Sequence, residues 1–519
     1  MAPWHPSANL VLILATGLGV LLRAYQLTRP GFLFGITEYD DGAYFGSAVR
    51  LVHGAVPYRD FVMVQPPGIL WLTSPLALLT KVTSTAAGFA LARVLTAAAG
   101  AAGVLLAGLL VRRHGALATA LTCGILATSP AGINAAHTLL LEPWAVVFCL
   151  LGALAVFDGD QPTERPGRLA WGGAAFGFAV AIKLWAVLPV LVVAVVCRRR
   201  RAWLPFGGGV VGGLGMAVLP AVALAPGAVF HDVVVAQLSR VDLVRVPAWH
   251  RLAGLTGMSA FSPVSRGTVW VVAAGILALV VGCSVAASRR DRQAPPPLEQ
   301  FALATAGLLL VAFLWPPDYY AHYGWFFAPF LALSVALPVA RLAAGRRALP
   351  VAGGRPGVWL ARSALAAALV LALVISVVQL RQETRLRGDT IADVVRARVP
   401  AGACVLADIA SVTVAADRFV SDVPGCPVLV DSIGTDYALS RGRNGVTGAG
   451  RDPALQRVWL NAFKHAQYVW LACGSPDRRR CKTTRRIPWT TGIRTYFRHH
   501  FAPVAARRVG LYARDRPPG

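Results

Sequence analysis

The sequence predicts an α-helical polytopic membrane protein of roughly eleven spans, followed by a small extracytoplasmic α/β domain. Three observations predict it. Of 519 residues, 56% are hydrophobic and only 14% charged, against about 25% charged in an average soluble domain. Apolar stretches long enough to cross about 30 Å of hydrocarbon recur through the first 380 positions. Beyond residue 380 the pattern changes to short apolar runs bounded by Pro and Gly, alternating with amphipathic helix. The expected domains are therefore 1–380 in the membrane and 381–519 outside it.

Expected spans lie near 8–27, 86–111, 116–136, 138–157, 169–183, 185–197, 203–225, 266–287, 299–316, 320–341 and 358–380. The first lacks a basic n-region and an A-x-A cleavage site, so it reads as a retained span rather than a signal peptide. Between the first two runs a polar loop, 28–66, and then the apolar stretch Pro66–Leu79. That stretch opens on Pro66-Pro67-Gly68 and is shorter than a full span, so the reading is an interfacial helix over 67–80.

With that helix not crossing, the short loops carrying Arg112/Arg113, Arg165/Arg168, Arg198–Arg201, Arg289/Arg290/Arg292 and Arg341/Arg346/Arg347 share one side. The positive-inside rule makes that side cytoplasmic. The loop 28–66, the Leu139–Trp144 segment, Lys183, the loop 226–265, the Asp318–Tyr323 segment and the tail then share the outer face. Arg381, Arg385 and Arg387 oppose this scheme, and long translocated domains tolerate such charge.

The net charge of +26 does not imply nucleic acid. The basic residues sit in short inter-span loops and in a tail lying near anionic head groups. Of eight cysteines, Cys123, Cys149, Cys197 and Cys283 lie in or beside apolar spans, where a thiol acts as a small hydrophobe. Cys404, Cys426, Cys473 and Cys481 lie in the tail. In an oxidising compartment they suggest two disulfides, most simply Cys404–Cys426 and Cys473–Cys481, with three connectivities open.

In the tail, Thr390–Val399 and Asp452–His465 read as helices, and Ala403–Ala407, Pro427–Val430 and Tyr468–Ala472 as strands. Alternation of that kind gives a small α/β sandwich. Without a glycine-rich phosphate loop, this domain reads as an acceptor-binding element or lid.

Candidate chemistry gathers on the outer face. The first loop carries Glu38-Tyr39-Asp40-Asp41-Gly42 at the start of a helix, in a chain with only 24 acidic residues. An N-cap role explains one Asp, not the pair. Glu142 follows three leucines and precedes Pro143 at the edge of two spans, and Lys183 interrupts an apolar run. Ionisable groups at membrane depth tend to be functional. Arg59, Arg240, His250, His322 and Tyr323 are further outer-face groups able to hold a phosphate.

These motifs resemble the GT-C superfamily of integral membrane glycosyltransferases, which use polyprenyl-phosphate-linked sugars. The resemblance rests on Asp40-Asp41-Gly42-Ala43-Tyr44-Phe45, Pro66-Pro67-Gly68, Glu142 in Leu-Leu-Glu-Pro, and Ala181-Ile182-Lys183. The arrangement is similar to protein O-mannosyltransferases and aminoarabinose transferases over about residues 8–345. It implies that Asp40 is a general base, that Asp41 orients the acceptor or an ion, and that Lys183 meets the donor phosphate. Glu142 stands where the family usually has Asp. The family often shows Asp-Glu where this chain has Asp40-Asp41, which leaves the choice of base between the two. Metal use varies across the superfamily. A divalent cation, if used, would have Asp40, Asp41 and Glu142 as ligands. The implied partners are a polyprenyl-phosphate sugar donor, membrane lipids, and a glycan, lipid or protein acceptor. The Ala-, Gly- and Arg-rich composition suggests a high-GC bacterium such as an actinobacterium. There the resemblance implies mannose or arabinose donors and a role in the cell envelope and cell wall. The alternative is a transporter or flippase of a lipid-linked precursor, against which stand the lack of self-similarity between the halves and the placement of the acidic groups in an outer loop and at a span edge rather than mid-bilayer.

Overall fold

The computed structural model describes residues 7–197, 200–238, 246–261, 263–315, 319–345, scattered positions between 363 and 382, 387–439, 452–475, 487–504 and 509–515. In chain order its helices begin α1 (Ala8–Leu27), α2 (Asp40–Val52), α3 (Gly68–Leu79), α4 (Thr85–Val111), α5 (Ala116–Ala127), α6 (Pro130–Ala136), α7 (Leu141–Val156) and α8 (Pro166–Ile182). They continue with α9 (Val187–Val196), α10 (Arg200–Leu224), α11 (Pro226–Phe230), α12 (Ala236–Leu238), α13 (Ala248–Leu255), α14 (Arg266–Asp291), α15 (Pro297–Leu314) and α16 (Tyr323–Gly345).

Among the described residues, six helices are long and apolar enough to cross a membrane, and seven if α5 and α6, bent by 54°, form one broken span. Fewer reach full length than the eleven expected, because α7, α8 and α9 have 16, 17 and 10 residues, less than the ~20 a perpendicular span needs. The expected span 358–380 falls largely outside the described residues. α3 has 12 residues, about 18 Å of helix at 1.5 Å per residue, too short to cross.

The chain folds as two compact units. The first comprises Met1–Thr28, Leu95–Met216 and Val246–Leu386, and the second Arg29–Val94, Ala217–Arg245 and Arg387–Gly519.

In the first unit, α7 and α8 form a hairpin closed by the two-stranded turn β1 (Phe157–Asp158) and β2 (Gln161–Pro162), in which Phe157 pairs with Pro162 and Asp158 with Gln161. α8 then lies backbone-to-backbone on α10. A Cβ at Gly173 or Gly177 would come within 2.1 Å of the Phe206 or Val210 carbonyl oxygen, and one at Gly209 or Gly213 would meet Ala170 or Ala174 equally closely. Small residues at this four-residue spacing let membrane helices approach where apolar burial gives no drive. Ser129-Pro130 breaks α5 from α6, and Arg23, 1% exposed, occupies the break. Its guanidinium donates to the carbonyls of Leu126 and Ala127 at 3.4 Å and lies 5.1 Å from the Trp325 ring. These are helix-end carbonyls that an interrupted span would leave without donors.

In the second unit the tail forms a four-stranded sheet, β3 (Val405–Ala407), β4 (Tyr468–Trp470), β5 (Phe501–Pro503) and β6 (Leu511–Arg514), in the order β3-β4-β6-β5. β3 and β4 are parallel, and the other pairs antiparallel. Helices Pro453–His465 and Thr491–His500 bury Trp459, Phe463, Ile493 and Phe497 against Leu406, Val469 and Tyr512. Pro427–Val430, expected as a strand, has no ladder partner among the described residues. Cys404 is disulfide-bonded to Cys426. Cys473 is also disulfide-bonded, and Cys481 lies outside the described residues. The first loop folds with this tail: Ile36 bridges to Asp389, and Thr85 N–H, at the start of α4, donates to Asp417 at 2.7 Å.

Candidate active site

The acidic motif leads into α2, whose first turn holds Asp40 and Asp41, where the helix dipole favours negative charge. Tyr39, not an Asp, is the N-cap, and it makes no side-chain cap bond. The two aspartates have different surroundings. Asp41 is wholly buried and both its oxygens are engaged. Oδ2 pairs with Arg93 Nη2 at 2.8 Å, while Oδ1 accepts from Ser411 Oγ at 2.6 Å and from Gly42 N–H at 2.7 Å. Arg93 Nη1 donates to the carbonyls of Phe32, Leu33 and Gly35 at 2.8–2.9 Å, and the guanidinium lies 4.0 Å from the Phe89 ring centre. A buried ion pair is tolerable only when its remaining lone pairs and protons are satisfied in this way.

Asp40 is half-buried, and its carboxylate makes no hydrogen bond or ion pair among the described residues. Of the two, it is the one with lone pairs left for a substrate. Glu38 stands beside them, and burial pushes its carboxyl from 4.5 up to about 7, with Asp40 and Asp41 pushing the same way. Tyr39 is fixed from the tail, donating to Asp431 at 2.7 Å and accepting from Ile433 N–H at 2.9 Å.

The first unit gathers a second group of charges. Glu142 is the second residue of α7, with Pro143 behind it in the first turn, where a missing N–H costs nothing. Leu139, Leu140 and Leu141 hold this entry fully inside the protein. Lys183 follows the end of α8 in extended backbone, φ −147° and ψ 124°, before the 3₁₀ turn Leu184–Ala186. Its Nζ lies 3.2 Å from Glu142 Oε1, outside hydrogen-bond alignment with that oxygen, and 5.2 Å from the Tyr323 ring centre. His322 Nε2 lies 3.8 Å from the same oxygen, and its ring stacks on Tyr320 at 5.5 Å. Trp185, Phe313 and Tyr323 pack around the group. Glu142, Lys183 and His322 are 1%, 6% and 8% exposed, so an aromatic, water-poor wall surrounds one carboxylate and two nitrogen bases.

The remaining expected groups fall elsewhere. Arg59 is exposed and forked onto Asp60 by two bonds of 2.8 Å, which holds the Asp60 carboxyl down at about 2. Arg240 lies outside the described residues. His250 on α13 packs edge-on against Trp249. Among the described residues, no group of three or more His, Cys, Asp and Glu side chains is placed to hold a metal ion. Arg23 and Arg93 were legible as arginines inside apolar runs, the signal that singled out Lys183. Ser411, 370 residues from Asp41, carried no such signal.

The family model of Glycosyltransferase family 87 matches residues 64–317. The fold matches the crystal structure of ArnT from Cupriavidus metallidurans bound to undecaprenyl phosphate, with a TM-score of 0.59 and 16% identity over 96% of this chain and 97% of that one. The chain has the GT-C fold of these membrane proteins. The chain matches ArnT in the apo state with a TM-score of 0.56 and 15% identity over 96% and 97% of the two chains. It also matches the archaeal oligosaccharyltransferase AglB from Archaeoglobus fulgidus, in complex with an inhibitory peptide and a dolichol-phosphate. There the TM-score is 0.54 and the identity 14%, over 98% of this chain and 75% of that one. A search of the curated proteins finds no match.

Proposed function

We propose that this glycosyltransferase moves a sugar from a polyprenyl-phosphate-linked donor to an acceptor hydroxyl at the outer face of the cytoplasmic membrane, with Asp40 as general base. The observation that carries the reading is the division of labour between the two aspartates. Asp41 is consumed by Arg93 and Ser411, whereas Asp40 keeps its lone pairs. Support for the donor class comes from the two similar structures whose bound lipids are polyprenyl phosphates, and from a lysine and a histidine beside a buried carboxylate.

In the proposed reaction the bond between the sugar's anomeric carbon and the phosphate oxygen breaks through an oxocarbenium-like transition state. The acceptor oxygen forms the new bond as its proton passes to Asp40, help worth about 10²–10⁴-fold. Negative charge accumulates on the departing polyprenyl phosphate. Lys183 and His322 receive it, preorganised by Glu142, in surroundings where such contacts count for more than in water. Arg59 and Arg240 are further candidates for the phosphate. Glu142 serves Lys183 as a positioning residue.

The test is transfer of radiolabelled sugar by the purified protein from a panel of polyprenyl-phosphate donors, with Lys183→Ala beside it. Turnover of at least one donor, with weakened donor binding in the variant, supports the reading. Turnover of none, together with lipid scrambling in liposomes, overturns it.

A further inference from the structure

α14 ends on Arg289, Arg290 and Asp291, and Arg292 caps it in left-handed backbone, its N–H bonded to the Ser288 carbonyl. Two of the four arginines around this end are committed. Arg290 is forked onto Asp291 at 2.7–2.9 Å, and Arg341 pairs with Glu299 at 3.0 Å and approaches Asp291 at 3.9 Å. Both acidic residues are therefore already neutralised. Arg289 and Arg292 are exposed and have no partner among the described residues, although they line one pocket of about 440 Å³ together with Ser288 and Gln293.

That pocket does not stop at the polar end. Ser284 and Val285 line both it and an apolar groove of about 350 Å³ between α14, α15 and α16. The groove is walled by Ala273, Leu277, Leu310, Phe327 and Leu331. From Ala273 to Val285 it follows α14 for about 18 Å at 1.5 Å per residue, close to the depth of one leaflet of a ~30 Å hydrocarbon core. At the junction, the Ser284 hydroxyl donates to Glu299 at 2.6 Å, and Arg341 donates to the Ser288 hydroxyl at 3.1 Å. Apolar groove, polar girdle and free cations thus follow one another in the order of a phospholipid's acyl chain, ester region and phosphate.

We infer that this groove binds an anionic diacyl phospholipid of the bilayer, one acyl chain along α14 and the phosphate between Arg289 and Arg292. The C-terminal end of a helix dipole repels anions and draws cations, which alone would justify basic residues here. It does not explain why two guanidiniums without partners among the described residues stand over a pocket that opens into an apolar groove. Basic pockets between helices on the side bearing the positive loops are where anionic head groups are held. A leaflet-deep groove suits an acyl chain better than a polyprenyl chain several times that length.

Native mass spectrometry of the full-length protein in detergent tests this by titration with phosphatidylglycerol and phosphatidylcholine. Wild type is expected to retain phosphatidylglycerol adducts selectively. Arg289→Gln with Arg292→Gln should weaken them roughly thirty-fold, while Arg112→Gln, in another basic loop, leaves them unchanged. Gly307→Leu should weaken them independently by filling the groove, since a Cβ there meets nothing within 4 Å. Equal retention of both lipids, adducts that survive the double variant or Gly307→Leu, or preferential displacement by a polyprenyl phosphate would each overturn the proposal.

Discussion

Ser411 Oγ donates to Asp41 Oδ1 at 2.6 Å, a bond that spans 370 residues of sequence. It fixes the first turn of α2 to the tail. With Arg93 it engages both carboxylate oxygens of Asp41, whereas the Asp40 carboxylate makes no hydrogen bond or ion pair among the described residues.

Asp41→Asn should therefore act on stability first. Removing one partner of a buried ion pair leaves an uncompensated charge and costs about 3–5 kcal/mol. The lower end is expected, because Arg93 keeps three carbonyl partners. Ser411→Ala should cost about 1.5–3 kcal/mol, the range for a bond to a charged group. Thermal unfolding in detergent measures both. An unchanged midpoint in Asp41→Asn would remove its scaffold role.

Gly42 is predicted to resist substitution, because a Cβ there would lie 2.1 Å from the Ser411 backbone nitrogen. Gly42→Ala should cost about 1–3 kcal/mol by overpacking and loosen the tail from α2. Faster limited proteolysis between residues 387 and 439 would report that loosening.

Glu38 gives a pH signature. Its folded pKa of about 7 exceeds the ordinary 4.5, so the folded state holds the proton more tightly than the unfolded chain. The resulting stability is fully present below pH 4.5 and is lost as pH rises through about 7. Glu38→Gln should abolish that decline. A wild-type unfolding midpoint with the same pH slope as the variant would contradict it.

Lys183 and Glu142 are expected to separate binding from folding. Lys183→Met leaves the buried Glu142 with His322, 3.8 Å away, as its remaining cationic neighbour, and should destabilise the protein. Adding Glu142→Gln should recover folding but not donor affinity, with the donor KM raised roughly 10–100-fold, the worth of a charge-assisted contact. Full recovery of KM in the double variant would leave the pair a purely structural role.

Much of this was legible in the sequence, for reasons that differ by element. α1, α4, α10, α14, α15 and α16 announce themselves because lipid imposes a length and a composition. Glu142 and Lys183 stand out because charge is costly beside apolar spans. By contrast, the β5 and β6 strands of the tail are too short for alternation to register. The saturation of Asp41 depends on Arg93 and Ser411, and no local pattern links either to α2. Arg23 and Arg93 interrupt apolar helices as Lys183 does, but their partners, the carbonyls of Leu126 and Ala127 and the Asp41 carboxylate, are distant in sequence. Glu38 became distinctive only through burial beside two other carboxylates.

In the proposed reaction Asp40, not Asp41, takes the acceptor's proton. The most direct test is single-turnover transfer by Asp40→Asn, with donor binding and unfolding midpoint measured on the same preparation. The expected result is a rate lowered about 10²–10⁴-fold, with donor affinity and midpoint unchanged. Transfer at the wild-type rate in a folded, donor-bound Asp40→Asn would contradict it and move the base elsewhere.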